Sequence, residues 1–452
     1  MKKTLLLASA PLLMTAGCCE TTEQPNIVVL FVDDLGWADL GYNNSKFHTP
    51  NIDKLKSEGT YFERAYVPTA TSSPSRAGLI TGRESLRCGF VRHIYHTEDH
   101  LPAAQRSEFQ TLASDPGRMK SRAWLPLEEI TYAERLKDFG YYNYFVGKWH
   151  LGNELYFPEK QGFDELFGVT EHGAPRNYYN KPFFKTQNPF PNATDDEYLT
   201  ELITEGAVNF ISNHDSDQPY LLNLWYYTVH APHYGRKDYV AEYMAAGMTK
   251  ADANYAAMVR SLDNSVGEIM QALEQNGDAD NTMIIFISDQ GGAFQNGHLR
   301  GGKKGGDTLA EGGTRVPMIV YYPGMKGMGT TYSKPVSTID VFPTMVELAS
   351  GKPCTDKQLN GMSLMPILQG GEQPDRNIFL HRSYEDQNSA LIQGDWKLIK
   401  YRSRKLELYN IANDESEQNN LAAQDTERCA AMLQILLNWQ DEATPAYLLP
   451  ED

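Results

Sequence analysis

Cysteine is scarce in this sequence: five in 452 residues, two of them side by side as Cys18 and Cys19. The other three, Cys88, Cys354 and Cys429, are an odd and widely spaced set. That excludes a disulfide-stapled scaffold and a thiolate metal centre, which both need paired or closely spaced thiols. One pair remains able to bridge outside the cytoplasm, but three buried thiols is the simpler reading. Positive charge is also short, with 41 Lys and Arg against 58 Asp and Glu and a formal net charge of −17. A nucleic-acid partner normally needs a basic face, so none is expected. The same field disfavours long-range attraction of a polyanion, and an anionic substrate would need a local cluster of cations. Long apolar runs are missing as well. The leading run, Thr4 to Thr15, is too short to cross a bilayer as a helix. No internal repeats or low-complexity tracts occur.

What is present begins with a targeting segment. Lys2 and Lys3 head the apolar run, and Thr15-Ala16-Gly17-Cys18 resembles a bacterial lipobox. Residues 1–17 are therefore expected to be a lipoprotein signal peptide, Cys18 the lipid-bearing first residue of the mature chain, and residues 18–24 a tether. Threonine is unusual at the head of that box, which leaves plain secretion as the alternative. The expected location is the periplasm or cell surface of a Gram-negative bacterium, with membrane contact only through the anchor.

The remaining length suits one large α/β domain and a smaller one. Ile27 to Val32 is an apolar run without alternation, which predicts a strand buried on both faces of a parallel sheet. Similar runs occur at Tyr144 to Val146, Tyr220 to Tyr227, Met283 to Ile287 and Met318 to Tyr322. Tyr255, Met258, Leu262, Val266, Ile269 and Leu273 form one helical stripe that Gly277 should stop. Strands alternating with helices predict a mostly parallel sheet sandwiched by helices over residues 25–368. From 369 to 452 the pattern predicts a small antiparallel sheet with a closing helix. Its strands are Asn377 to His381, Ala390 to Ile392, Trp396 to Tyr401 and Leu406 to Tyr409, and its helix is Met432 to Trp439.

Polar residues follow the buried strands directly. Asp33 and Asp34 come after the first, Lys148 and His150 after the second, His230 after the third, and Asp289 and Gln290 after the fourth. Ligands of open α/β sheets bind beyond the carboxyl ends of the strands, so these groups predict one site. Asp33, Asp34 and Asp289 with the Gln290 amide oxygen make an all-oxygen donor set, which favours calcium, or magnesium, over zinc. Ser72 to Arg83 reads as a hydroxyl-rich turn leading into a helix, with Arg76 near its start as an oxyanion grip.

Ser72-Ser73-Pro74-Ser75-Arg76, closed by Thr81-Gly82-Arg83, resembles the signature of formylglycine-dependent sulfatases of the alkaline phosphatase superfamily. Other segments extend the resemblance over nearly the whole mature chain. They are Gly147-Lys148-Trp149-His150-Leu151-Gly152, His230-Ala231-Pro232-His233, Ser288-Asp289-Gln290-Gly291 and Glu311-Gly312-Gly313-Thr314-Arg315-Val316-Pro317. The resemblance implies that Ser72 is oxidised to formylglycine, whose hydrate is the nucleophile and also a metal ligand. Serine at that position implies an anaerobic, radical maturation enzyme as partner. It further implies that Asp289 serves as base partner, and that Arg76, Lys148, His150, His230 and Lys303 handle sulfate and protons. Two departures stand out. Glutamine replaces the usual asparagine or histidine at Gln290, and Lys303 is followed by Lys304 with a longer spacing to Glu311. Lys303 is preferred as the sulfate and leaving-group contact.

The serine type and the export segment resemble glycan sulfatases of Bacteroides-like anaerobes. This implies a sulfated carbohydrate substrate from mucin, glycosaminoglycan or algal polysaccharide. His172 and Arg176, in a polar loop after the strand bearing Lys148, are the preferred sugar contacts, with His233 and Lys304 beside them. His93 and His96 are further candidates, and Tyr178-Tyr179 offers stacking faces. Two alternatives stay open: a phosphatase or phosphonate monoester hydrolase of the same superfamily, and a sulfated-glycan-binding lipoprotein should Ser72 stay unmodified.

Overall fold

Asn26–Val32 forms β1, and every residue of it is buried. Its side chains alternate between two separate cores: Ile27, Val29 and Phe31 enter one, Val28, Leu30 and Val32 the other. Apolar cover on both faces is why this run shows no polar alternation. The computed structural model describes residues 24–112, 118–214, 217–294, 296–383, 386 and 388–450. The expected signal segment, Cys18 and all but the last tether residue lie outside the described residues.

Seven further strands complete the main sheet: β2 (Thr60–Phe62), β3 (Tyr142–Lys148), β4 (Glu165–Thr170), β5 (Tyr220–Trp225), β6 (Thr282–Ser288), β7 (Met318–Tyr321) and β8 (Thr330–Tyr332). Their order is β8-β2-β7-β6-β1-β5-β3-β4. The run from β6 to β4 is parallel throughout. In contrast, β7 lies antiparallel to both β6 and β2. The Met318 run therefore joins as an antiparallel strand in a mostly parallel sheet.

Helices α1 (Pro50–Glu58), α2 (Ser72–Thr81), α3 (Tyr132–Lys137), α4 (Leu199–Asn213), α5 (Lys250–Asn276) and α6 (Val341–Ser350) cover the two faces. Leu79 and Ile80 of α2, Leu136 of α3 and Met345 of α6 pack into one core. Leu55 of α1, Ile203 of α4 and Leu262 of α5 pack into the other. Each such side chain withdrawn from water contributes roughly 1.5–3 kcal/mol. The stripe predicted from Tyr255 to Leu273 lies within α5, which starts on a Thr249 cap and stops at Gly277 in the left-handed region (φ 83°). Helix α2 begins at Ser72 itself, so Arg76 sits one turn inside it rather than at its start.

The C-terminal sheet comprises β9 (Asn377–Arg382), β10 (Asn388–Gln393), β11 (Trp396–Lys400) and β12 (Glu407–Asn410), antiparallel in that order. Helix α7 (Thr426–Ala443) is longer than the predicted Met432 to Trp439. It covers one face of this sheet, where Met432 and Leu436 meet Leu391 and Leu398. The other face packs Leu380 and Ile399 with Tyr66 and Leu309 of the larger domain. Cys88 and Cys429 are buried free thiols, while Cys354 is only half-buried, which corrects the expectation of three buried thiols.

Candidate active site

The parallel neighbours β6, β1, β5 and β3 all end at the same edge, and their backbones stay joined just beyond it. Asp289 N–H donates to Val32 O at 3.0 Å, Asp33 N–H to Thr228 O at 3.1 Å and Val229 N–H to Asp33 O at 2.8 Å. These bonds gather Asp33, Asp34, Asp289, Gln290 and His230 around the end of β1. Lys148 is the last residue of β3, and His150 follows two residues later. Ser72 enters from the side as the first residue of α2, where the helix dipole favours negative charge.

The floor of the site is a buried charge network. Ser72 Oγ donates to Asp289 Oδ2 at 2.9 Å and lies 3.2 Å from Asp33 Oδ1. Lys148 Nζ donates to Asp33 Oδ2 at 2.6 Å and approaches Ser72 Oγ at 3.3 Å. Arg76 Nη2 lies 3.2 Å from Asp289 Oδ2 and 3.5 Å from Asp33 Oδ1. On the outer side, Lys303 Nζ pairs with Asp34 Oδ2, and His230 Nε2 is 3.7 Å from the same oxygen. Three carboxylates thus face three fixed cations, Arg76, Lys148 and Lys303. Burial is the largest influence and works to raise the Asp33 and Asp34 carboxyls, but Lys148 with His230 and Arg76 around Asp33, and Lys303 with His230 around Asp34, together hold both below the ordinary value. Burial and the charge of Asp33 push Asp289 up. Burial and the neighbouring Lys148 push His150 well down, which leaves a neutral imidazole.

The same carboxylates fit a divalent cation. One oxygen from each of Asp33, Asp34 and Asp289 lies within 4.8 Å of the others, and all three residues are buried. The Gln290 amide meets Asp34 Oδ1 at 2.6 Å, so a turn of that amide adds a fourth oxygen. Such a set suits calcium or magnesium. Above the floor opens a cavity of about 800 Å³. Ser72, His150, His230, Gln290 and Lys303 reach it from below, while His93, Tyr95, His96, His172, Lys304 and Arg382 line its walls.

Residues 25–352 match the family described as Sulfatase, and residues 307–441 match one described as N-sulphoglucosamine sulphohydrolase, C-terminal. The chain belongs to the sulfatase family. It is a sulfuric ester hydrolase. N-acetylgalactosamine-6-sulfatase of Mus musculus is 35% identical over 399 residues, covering 84% of this chain and 72% of the relative. The solved structure of Ps i-CgsB in complex with k-i-k-neocarrahexaose is 29% identical with a TM-score of 0.79, covering 95% of each chain. A Bacteroides thetaiotaomicron structure, described under metabolism of multiple glycosaminoglycans, is 25% identical with a TM-score of 0.72. It covers 93% of this chain and 100% of that one.

The walls of the sulfatase cavity depart from the sequence-based expectations in several places. His172 does line it, but its loop follows the additional edge strand β4 rather than β3. Arg176 falls outside the cavity: the loop turns back there, and its exposed residue donates its N–H to Phe183 O at 2.7 Å. His233 also falls outside, packed edge-on against Tyr255 at 5.3 Å. Tyr178 is a brace rather than a stacking face, its hydroxyl meeting the carbonyls of Tyr227 and His230 at 2.7 and 2.8 Å. The Tyr179 hydroxyl accepts from the Lys237 N–H. His96, Asp99 and His172 cluster on one wall, with His96 Nδ1 3.2 Å from Asp99 Oδ1. The guanidinium of Arg106 lies 3.6 Å from that carboxylate. Arg382, from the end of β9, was not foreseen. No local pattern marks a residue that the smaller sheet delivers across the fold.

Proposed function

We propose that this sulfatase removes O-sulfate from a sugar of a sulfated glycan, using position 72 as formylglycine and a calcium ion. The observation that carries the reading is the Ser72 hydroxyl, held among Asp33, Asp289 and Lys148 at the floor of a cavity large enough for a sugar. A divalent cation held by Asp33, Asp34, Asp289 and Gln290 would polarise the sulfuryl oxygens and offset the charge of the ester. Oxidised by a separate radical maturation enzyme and hydrated, position 72 would supply the oxygen nucleophile.

The chain's own residues account for the rest. Asp289, at 2.9 Å from the hydroxyl oxygen, takes the proton released there. Lys148 and Arg76 help to keep the buried Asp33 carboxylate charged. Lys303 and His230, on the outer side of Asp34, bind the sulfuryl oxygens and protonate the departing sugar alkoxide. The Nδ1 of His150 has no hydrogen-bond partner among the described residues and is the atom we assign to accept a proton at position 72 as sulfate leaves. Without the cation the floor is formally neutral. A divalent ion makes it a net cationic host for the ester, inside a chain whose overall charge repels polyanions. The sugar is recognised by the His93, His96, His172 and Lys304 wall, and the names of the relatives put 6-sulfated galactosamine first among the sugars to try. Export and lipidation at Cys18 belong to the same reading and rest on the leading segment alone.

The test is a panel of sugars, each sulfated at one defined position, offered to the matured protein with calcium. Sulfate release from one sugar and position is expected, at least tenfold faster than from the other positions, about 1.4 kcal/mol of discrimination. Hydrolysis of phosphate or phosphonate monoesters in place of every sulfated sugar would overturn the reading.

A further inference from the structure

Lys303 lies on a segment that does not fix its own shape. Between Arg300 and Ala310 the chain forms neither helix nor strand, and Gly301-Gly302 and Gly305-Gly306 flank the Lys303-Lys304 pair. Glycine-rich backbone loses more entropy on ordering than any other, so a lysine here needs outside anchors to stay aimed. Within the main sheet's own loops, Lys303 N–H donates to Gly292 O at 3.1 Å and Asn296 Nδ2 to Gly301 O at 3.1 Å, and the C-terminal sheet and the loops next to it add anchors at three further points. At the start, Arg300 Nη2 pairs with Glu407 Oε2 of β12 at 2.9 Å, and Arg300 Nε lies 3.3 Å from Glu417 Oε2. In the middle, Arg404 meets Asp307 Oδ1 at 2.9 Å and Gly306 O at 3.2 Å. At the end, Glu311 Oε1 pairs with Lys397 Nζ of β11 at 2.8 Å, and Glu311 N–H donates to Glu417 Oε2 at 2.9 Å. Glu417 therefore grips both ends of the strap, and Gly312 N–H closes it onto Arg300 O at 2.7 Å. Glu311, Glu417 and Lys397 have no exposed side-chain surface, so each depends on its partners.

We propose that the C-terminal sheet positions Lys303: the Glu407–Arg300–Glu417 clamp holds the strap at the height from which the Lys303 ammonium reaches Asp34 and the sulfate. Arg300 is a positioning residue, three places before the lysine it serves, and touches no reacting atom. The proposal rests on the sulfate-binding role given to Lys303 above. It assigns the smaller sheet a part in the chemistry beyond covering the fold.

A double-mutant cycle tests it. Wild type, Arg300→Gln, Lys303→Ala and the double variant are compared, with Glu407→Gln and Arg300→Lys alongside. The first readout is affinity for inorganic sulfate with calcium present, by calorimetry, which needs neither a known sugar nor oxidised Ser72. The second is kcat and KM of the matured protein on N-acetylgalactosamine 6-sulfate. Arg300→Gln is expected to weaken sulfate binding and lower kcat by about tenfold, with some fall in melting temperature because buried Glu417 loses a partner. Glu407→Gln should match it, and Arg300→Lys should recover part of the loss. With Lys303→Ala already present, Arg300→Gln should cost less than about twofold more. Equal losses in both backgrounds, or none in either, would overturn the clamp. Wild-type sulfate affinity in Lys303→Ala alone would overturn the role of Lys303 and the clamp with it. Loss of turnover only on the sugar probe, in wild type as well, would count against the sugar and leave the calorimetric cycle to decide on the clamp.

Discussion

Asp34 and His150 both occupy the left-handed backbone region, at φ 63° and φ 54°. Side chains other than glycine pay about 1 kcal/mol or more there, and such outliers gather where geometry serves chemistry. Each is held in place by what surrounds it. Asp34 N–H donates to Asp289 Oδ1 at 3.0 Å, and its carboxylate takes Lys303 and Gln290. The His150 ring lies against Gly173, where an added Cβ would come within 2.3 Å of Cε1 and 2.4 Å of Nε2. Gly173→Ala should therefore displace the imidazole and lower kcat by about tenfold or more, with a smaller change in melting temperature. Steady-state kinetics with parallel thermal melts would check this. A variant with wild-type kcat would show that Gly173 does not set the position of His150. Nothing in the sequence marks this glycine, because it meets its histidine only through the fold.

At the scale of elements, burial on both faces made the parallel strands legible, and a single stripe made α5 legible. Direction was not legible in the same way. An apolar run such as Met318 to Tyr322 reads alike whether its strand runs parallel or antiparallel, since only its pairing partners decide. The C-terminal sheet carries a separate consequence. His381 of β9 is buried, with Nδ1 2.8 Å from Ser389 Oγ, and burial pulls its pKa from 6.5 to about 4. The unfolded chain therefore takes up a proton below pH 6.5 that the folded chain refuses until about pH 4. The stability contributed by neutral His381 is complete above pH 6.5 and is lost as pH falls through that window, up to about 3 kcal/mol. Urea unfolding from pH 7 to 4 should show the decline, and His381→Asn should flatten it. An unchanged slope in the variant would assign the acid sensitivity to other groups.

For the molecule as a whole, four strand ends, one helix start and the glycine-rich segment after Arg300 bring residues from Asp33 to Lys303 into a single floor. Most of that floor was legible, because the three acids, Lys148, His150 and His230 each follow an apolar run whose strand type fixes where they must emerge, whereas Lys303 stands out only through the family resemblance. The walls were not legible. His172 comes from an edge strand that the sequence does not announce, Arg176 and His233 turn away, and Arg382 arrives from the smaller sheet. Wall residues depend on loop paths and domain packing, which no local periodicity encodes. A chain with net charge −17 nevertheless concentrates Arg76, Lys148 and Lys303 at one point, and that contrast is what the chemistry needs. The most direct measurement is the chemical state of position 72 set against activity. Protein produced with and without a radical maturation enzyme would be analysed by peptide mass spectrometry and assayed for calcium-dependent sulfate release. Turnover should rise in proportion to the fraction of Ser72 that has lost two hydrogens, and it should vanish in Ser72→Ala. Equal turnover from protein whose Ser72 is wholly unoxidised would contradict the account.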